Sequence, residues 1–153
     1  MEPNHKYQIK AKCTKARSGV VSSNAVADPI TFSAPPEFLG DAGVWTPEHF
    51  FVAAVVSCFV STFSGMAELS KLSFISFETE AEGTLGKDAA GWRFVEVTLR
   101  PTVTISREQD RERAKRLLEK AEKACLVARS ITASVVMNPT VNVEQEVVTS
   151  TPG

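Results

Sequence analysis

Hydrophobic and polar positions follow two different periods along this chain. Residues 6–13 alternate, with Tyr7, Ile9, Ala11 and Cys13 on one face and Lys6, Gln8, Lys10 and Lys12 on the other. That pattern predicts a half-buried strand, with Cys13 in a packing role. The segment Thr14–Gly19 reads as a hairpin turn carrying Arg17, followed by short strands near Val20–Ser23 and Ile30–Ser33. Pro35 and Pro36 then interrupt regular structure. From Thr46 the pattern changes. Thr46 suits an N-cap, Pro47 the first helical position and Glu48 the first turn, where the helix dipole favours a carboxylate. The helix they open, running to about Leu69 or Lys71, is apolar on every side and must be wrapped by the rest of the molecule.

Alternation returns in Phe74–Leu85 and again in Trp92–Ile105, with a turn over Gly86–Gly91 between them. Pro101 predicts a bend or a sheet edge in the second of these strands. Ser106 and Gln109 have capping-box spacing, and the helix after them sets Ala114, Leu117, Leu118, Ala121, Ala124 and Cys125 on one apolar stripe. A last strand, Ser134–Val148, is interrupted near Asn138-Pro139, and 149–153 reads as a disordered tail. Strands, helix, long hairpin, helix and strand in that order imply an α+β fold with a mainly antiparallel sheet, in one domain over 1–148.

Composition narrows the function classes. Length 153 suffices for a core without disulfide staples, and 17 Lys and Arg against 18 Asp and Glu leave a net charge of −1, which does not invite nucleic acid. The N-terminal residues show no basic, apolar and small-residue succession of a signal peptide, so a cytoplasmic protein is expected. The apolar run 50–67 contains Ser57, Ser61, Thr62, Ser64 and Gly65 and has no flanking basic cluster; a core helix is expected rather than a membrane span. Cys13, Cys58 and Cys125 form no CxxC, and with two histidines no metal site is expected.

Cys58, in the middle of the apolar helix, is the candidate centre of chemistry. Burial alone raises a thiol's pKa, so reactivity would require a nearby cation, and no Lys or Arg lies within a turn of it. Arg17, Arg93 and Arg129 remain open as donors of that charge. The stretch WTPEHFFVAAVVSCF, the later KACLVARSI and the early Arg-Ser-Gly turn together resemble the OsmC/Ohr family of osmotically inducible and organic hydroperoxide resistance proteins, over roughly 6–146.

The resemblance implies an OsmC-like fold, with the sheet wrapped around the long helix in an intertwined homodimer. It also implies a cofactor-free thiol peroxidase in oxidative or osmotic stress defence. Cys58 matches the peroxidatic cysteine, Cys125 the resolving cysteine, Glu48 the carboxylate and Arg17 the arginine that pairs with it. The implied reaction converts an organic hydroperoxide to an alcohol through a sulfenic acid and an intrachain disulfide, which a dithiol or lipoylated protein then reduces. Phe38, Trp45, Phe50 and Phe51, with Met66, are candidates to line an apolar substrate pocket.

Independently of the resemblance, ten residues on a continuous helix separate Glu48 and Cys58 by about 15 Å, so a shared site requires a second chain or a break. Leu126 stands where many family members carry Pro, and His49 departs from the usual residues after Pro-Glu; His49 is read as a surface or interface residue. A non-catalytic small-molecule binder and a thiol redox sensor are the competing readings.

Overall fold

A computed structural model describes residues 4–145, and the chain divides into two compact units between Phe51 and Val52. In the first unit β1 (Lys10–Lys15), β2 (Ser18–Ser23) and β3 (Val26–Ser33) form an antiparallel sheet in that order. The turn between β1 and β2 is tighter than expected: Arg17 takes the left-handed conformation, φ 62°, and Cys13 pairs with Gly19. Every residue of β1 is exposed, Cys13 included, as are Tyr7 and Ile9 before it. The packing role expected for Cys13 is therefore corrected. Alternation identifies a face fit for burial, not the element that covers it. Beyond β3, buried Ser33 binds the loop together: its Oγ accepts from the Ser18 hydroxyl at 2.9 Å and from Asp41 N–H at 2.8 Å, and its N–H donates to Trp45 O.

Helix α1 (Pro47–Leu69) starts where the sequence places it. The Thr46 carbonyl accepts from Phe50 N–H and its hydroxyl from His49 N–H at 3.0 Å. In return, His49 Nδ1 accepts from Thr46 N–H at 3.3 Å and lies 2.8 Å from the hydroxyl. This is a reciprocal capping box with His in the position that Glu or Gln usually takes, which gives His49 a structural role the sequence reading missed. His49→Ala is expected to lower stability by about 1 kcal/mol in thermal or urea denaturation, and His49→Gln to keep most of it because an amide oxygen can accept the same bond.

Within the chain α1 is not wrapped on all sides. Val55, Phe59, Phe63 and Ala67, four residues apart, are its buried stripe, whereas Ala54, Ser57, Ser61 and Ser64 are exposed. The stripe belongs to the core of the second unit, where Phe63 and Phe77 have ring centroids 4.4 Å apart and Phe59 and Phe74 flank Phe77 at 6.1 and 6.0 Å. The helix has the length and apolarity of a bilayer span, and uses part of that apolarity in this aromatic packing.

The second sheet is built on the hairpin of β4 (Ser76–Asp88) and β5 (Gly91–Ile105). Gly83 lets α1 approach β4, since a Cβ there would lie 2.5 Å from Val52 Cγ2 and 2.7 Å from the Phe94 ring. Helix α2 (Arg111–Ala124) leads back to β6 (Ser134–Met137) and β7 (Thr140–Val143), both parallel to β5. The strand expected to Val148 ends at Val143, with 144–145 outside regular structure; its last residues, and the tail expected at 149–153, lie outside the described residues.

Two local expectations are overturned here. Of the bend or edge expected at Pro101, the edge is corrected: β5 is central and continues to Ile105, with Pro101 fully buried and opposite Thr79. Relief comes from the other neighbour. β6 stops at Met137, paired with Leu99, and β7 resumes at Thr140, paired with Thr102, so the break at Asn138-Pro139 faces the residue that has no N–H to give. Ser106 does not cap α2 either. A 3-10 turn, Glu108–Asp110, precedes the helix and is bracketed by Arg107–Asp110 and Arg111–Glu108 ion pairs at 3.2 and 2.8 Å.

Candidate functional site

Two of the predicted residues meet in the second unit. Cys58 lies half-buried midway along α1, beside the buried Phe59. Cys125 caps the C-terminus of α2, where its N–H bonds Ala121 O and its own backbone turns extended (φ −60°, ψ 112°). Its buried thiol points back over α1, 3.9 Å from the Val55 carbonyl, one turn before Cys58. The two thiols are close enough for each to bias the other's proton.

Their surroundings push them in opposite directions. Burial raises the Cys58 thiol, but hydrogen bonds from the Cys125 thiol, the Val127 and Leu126 backbone N–H groups and the Thr62 hydroxyl favour its thiolate and bring it below the ordinary cysteine value. Thr62 Oγ1 is 4.0 Å from the sulfur, one helical turn further on. Cys125 is raised, first by burial and then by its position as donor to Cys58 and beside that sulfur's negative charge. The arrangement thus presents one thiolate-forming sulfur and one sulfur that holds its proton, in contact. That is the asymmetry a nucleophile and a later disulfide partner need.

The cation that sequence reasoning demanded is not what lowers Cys58. Arg93 is engaged at the β4–β5 turn, 3.4 Å from Asp88, and Arg129 lies in the 3-10 turn after Cys125. Within one chain the Cys125 thiol and backbone donors favour the thiolate instead, and the backbone donors carry no side-chain signature; the signal for them was that they directly follow Cys125. Leu126 gains meaning from this, because a proline at 126 has no N–H. Cys125 is already extended, the conformation a residue before proline needs, so Leu126→Pro should fold. The pH dependence of alkylation tests the assignment. The Cys58 rate should climb with pH and level off below the pH at which free cysteine does; in Leu126→Pro that inflection should move upward.

The other predicted residues lie in the first unit. Arg17 is exposed at the left-handed turn, with its carbonyl accepting from Ala34 N–H. Glu48 is half-buried, and its Oε2 is buried without a hydrogen-bond partner. No Arg17–Glu48 ion pair forms among the described residues. Trp45 stacks on Phe50 with centroids 6.1 Å apart and meets His49 edge-on at 5.9 Å, while Phe32 approaches Phe50 at 6.4 Å. Trp45 and His49, with Gly43 and Val44, line a recess of about 290 Å³. Phe38, Phe50 and Phe51 are half-buried and are not among its lining residues. Among the described residues no group of three or more His, Cys, Asp or Glu side chains is placed to hold a metal ion.

Comparison with known proteins agrees with this architecture. The family model for OsmC-like proteins matches residues 40–140. YmaD of Bacillus subtilis (strain 168), an uncharacterised protein, is 24% identical over 135 residues, 86% of this chain and 90% of that protein. An OsmC-like protein of unknown function from Vibrio cholerae has a similar structure, with a TM-score of 0.80 at 23% identity, over 89% of this chain and 99% of that one. The organic hydroperoxide resistance protein OsmC of Legionella pneumophila gives 0.72 at 25% identity, over 92% and 100%.

Proposed function

The chain belongs to the OsmC-like protein family, a membership that links it to peroxide-related stress defence, and from that premise we propose that it is a cysteine peroxidase for organic hydroperoxides. The observation that carries the proposal is the contact between Cys58, favoured as thiolate, and Cys125, held as thiol. Cys58 Sγ attacks one peroxide oxygen, the O–O bond breaks, and an S–O bond forms. The alkoxide takes a proton and leaves as the alcohol, with Cys58 as sulfenic acid. Cys125 then displaces the sulfenic hydroxyl as water, giving a disulfide that a dithiol or lipoyl-bearing reductant returns to two thiols.

Arg17 and Glu48 complete the site in this proposal, and they do so from a second chain. Helix α1 is one element from Pro47 to Leu69, so its own Glu48 stays about 15 Å along the axis from Cys58. A second copy resolves this, and three features support it. The exposed stripe of Ala54, Ser57, Ser61 and Ser64 lets another helix come close, many apolar residues of α1, among them Val52, Val56, Val60 and Met66, are only half-buried within one chain, and Glu48 Oε2 is buried without the cation it needs. Arg17 opposite Glu48 would hold a guanidinium fork over the thiolate and polarise the peroxide. The aromatic group of Trp45, Phe50, Phe51 and Phe38 gives an apolar approach for alkyl peroxides, and the expected location is the cytoplasm.

Counting free thiols before and after one equivalent of cumene hydroperoxide tests the reading. A fall from three to one, with exposed Cys13 the survivor, is the expected result. A binder that uses the recess at Trp45 and His49 without chemistry predicts three thiols throughout, and that outcome would end the peroxidase proposal.

A further inference from the structure

Arg113, Arg116 and Lys120 follow one another at three- and four-residue spacing along α2, and with Ser70 and Leu117 they line a recess of about 230 Å³. Like charges at those spacings repel one another and work against the helix. Nearby basic residues avoid this cost: Arg107 meets Asp110 at 3.2 Å, Arg111 meets Glu108 at 2.8 Å, and Lys115 meets Glu112 at 3.5 Å. Arg116 and Lys120 have no carboxylate within ion-pair distance among the described residues, although Glu112 stands one turn before Arg116 and is engaged by Lys115 instead. Arg113 is held in place by donating to the Ser70 carbonyl beyond the end of α1, and it lies 3.6 Å from Asp110. Buried Leu117 supplies an apolar floor. The recess therefore offers an anchored guanidinium, a free guanidinium and a free ammonium around one small concavity.

We propose that this recess binds a phosphate group, free or as a monoester, with the Arg116 fork and the Lys120 ammonium on its oxygens and Arg113 fixing one wall. A multi-oxygen dianion can accept from both unpaired side chains at once, the recess has room for it, and its charge removes the repulsion along α2. None of these residues belongs to the Cys58–Cys125 pair; the end of α1 lies about 16 Å along the helix from Cys58, so the site stands or falls apart from the peroxidase reading.

The test is a titration of the full-length protein with inorganic phosphate and separately with phosphoserine, followed by calorimetry and by the melting temperature, against sodium chloride at matched ionic strength. Phosphate is expected to bind saturably and to raise the melting temperature beyond the chloride control. Arg116→Gln/Lys120→Gln should weaken binding roughly tenfold or more through loss of two charge-assisted hydrogen-bond donors, while Arg107→Gln leaves it unchanged. The double variant relieves like-charge crowding and is expected to fold at least as stably as the parent. Binding of phosphoserine as tight as that of phosphate assigns the site to an esterified ligand, and binding of phosphate alone to the free ion. A chloride control that gives the same shift, or a double variant that binds like the parent, overturns the proposal.

Discussion

Cys58→Ser is expected to abolish multiple-turnover consumption of cumene hydroperoxide, a loss of at least about 10³-fold, because a serine hydroxyl at this position has no base to activate it and no thiolate chemistry to offer. The partner variant should behave differently. Cys125→Ser keeps a donor next to Cys58, so the first oxidation should proceed at a modestly reduced rate, and the reaction should stop there. One equivalent of alcohol would be released, and a sulfenic acid at Cys58 would be trapped by dimedone and visible as an adduct by mass spectrometry. Multiple turnovers from Cys58→Ser would refute the assignment of the nucleophile. Steady turnover by Cys125→Ser with a dithiol reductant would refute its resolving role but not the first step. The contrast follows from the geometry: Cys58 is half-buried, while Cys125 is buried with its thiol 3.9 Å from the Val55 carbonyl.

Phe63→Ala should carry the largest stability penalty, about 3–5 kcal/mol. The ring is fully buried, lies 4.4 Å from the Phe77 ring and 6.0 Å from that of Phe74, and ties the last turns of α1 to β4. Removing it leaves a cavity between a helix and a sheet that cannot collapse without moving one of them. Ser64→Ala, one residue on and exposed within the chain, should stay within about 0.5 kcal/mol when measured on the monomer. Urea unfolding of both variants at several protein concentrations is the appropriate measurement. If two copies pair through α1, unfolding midpoints will depend on concentration, and Ser64→Ala will then report on the contact between copies.

Elements were legible in the sequence wherever a local signal was also the physical cause. Thr46, Pro47 and Glu48 start α1 through their own capping and dihedral preferences, and the alternation of Phe77, Thr79 and Ala81 against Glu78, Glu80 and Glu82 holds in β4. Pro101 misled because its effect depends on a neighbour thirty-odd residues away, the break at Asn138-Pro139, which no local pattern could register against Leu99 and Thr102. Ser106 misled in the opposite way: the motif is present, but ion pairs across Glu108–Asp110 stabilise a 3-10 turn first.

For the site, residue types and spacing were enough to single out Cys58 as a thiol that needs outside help, and a Glu48 too far along its own helix to provide it. By itself the sequence also determined the α+β class, because the hydrophobic periods and turn residues act over a few positions at a time. Only the tertiary structure decided what surrounds the thiol. Backbone N–H groups of Leu126 and Val127 and the Cys125 thiol are brought to Cys58 by the packing of α1 against the end of α2, across nearly seventy residues of chain. Main-chain donors are the same in every residue except proline, so their role is written in position alone, and position is fixed only when the chain folds.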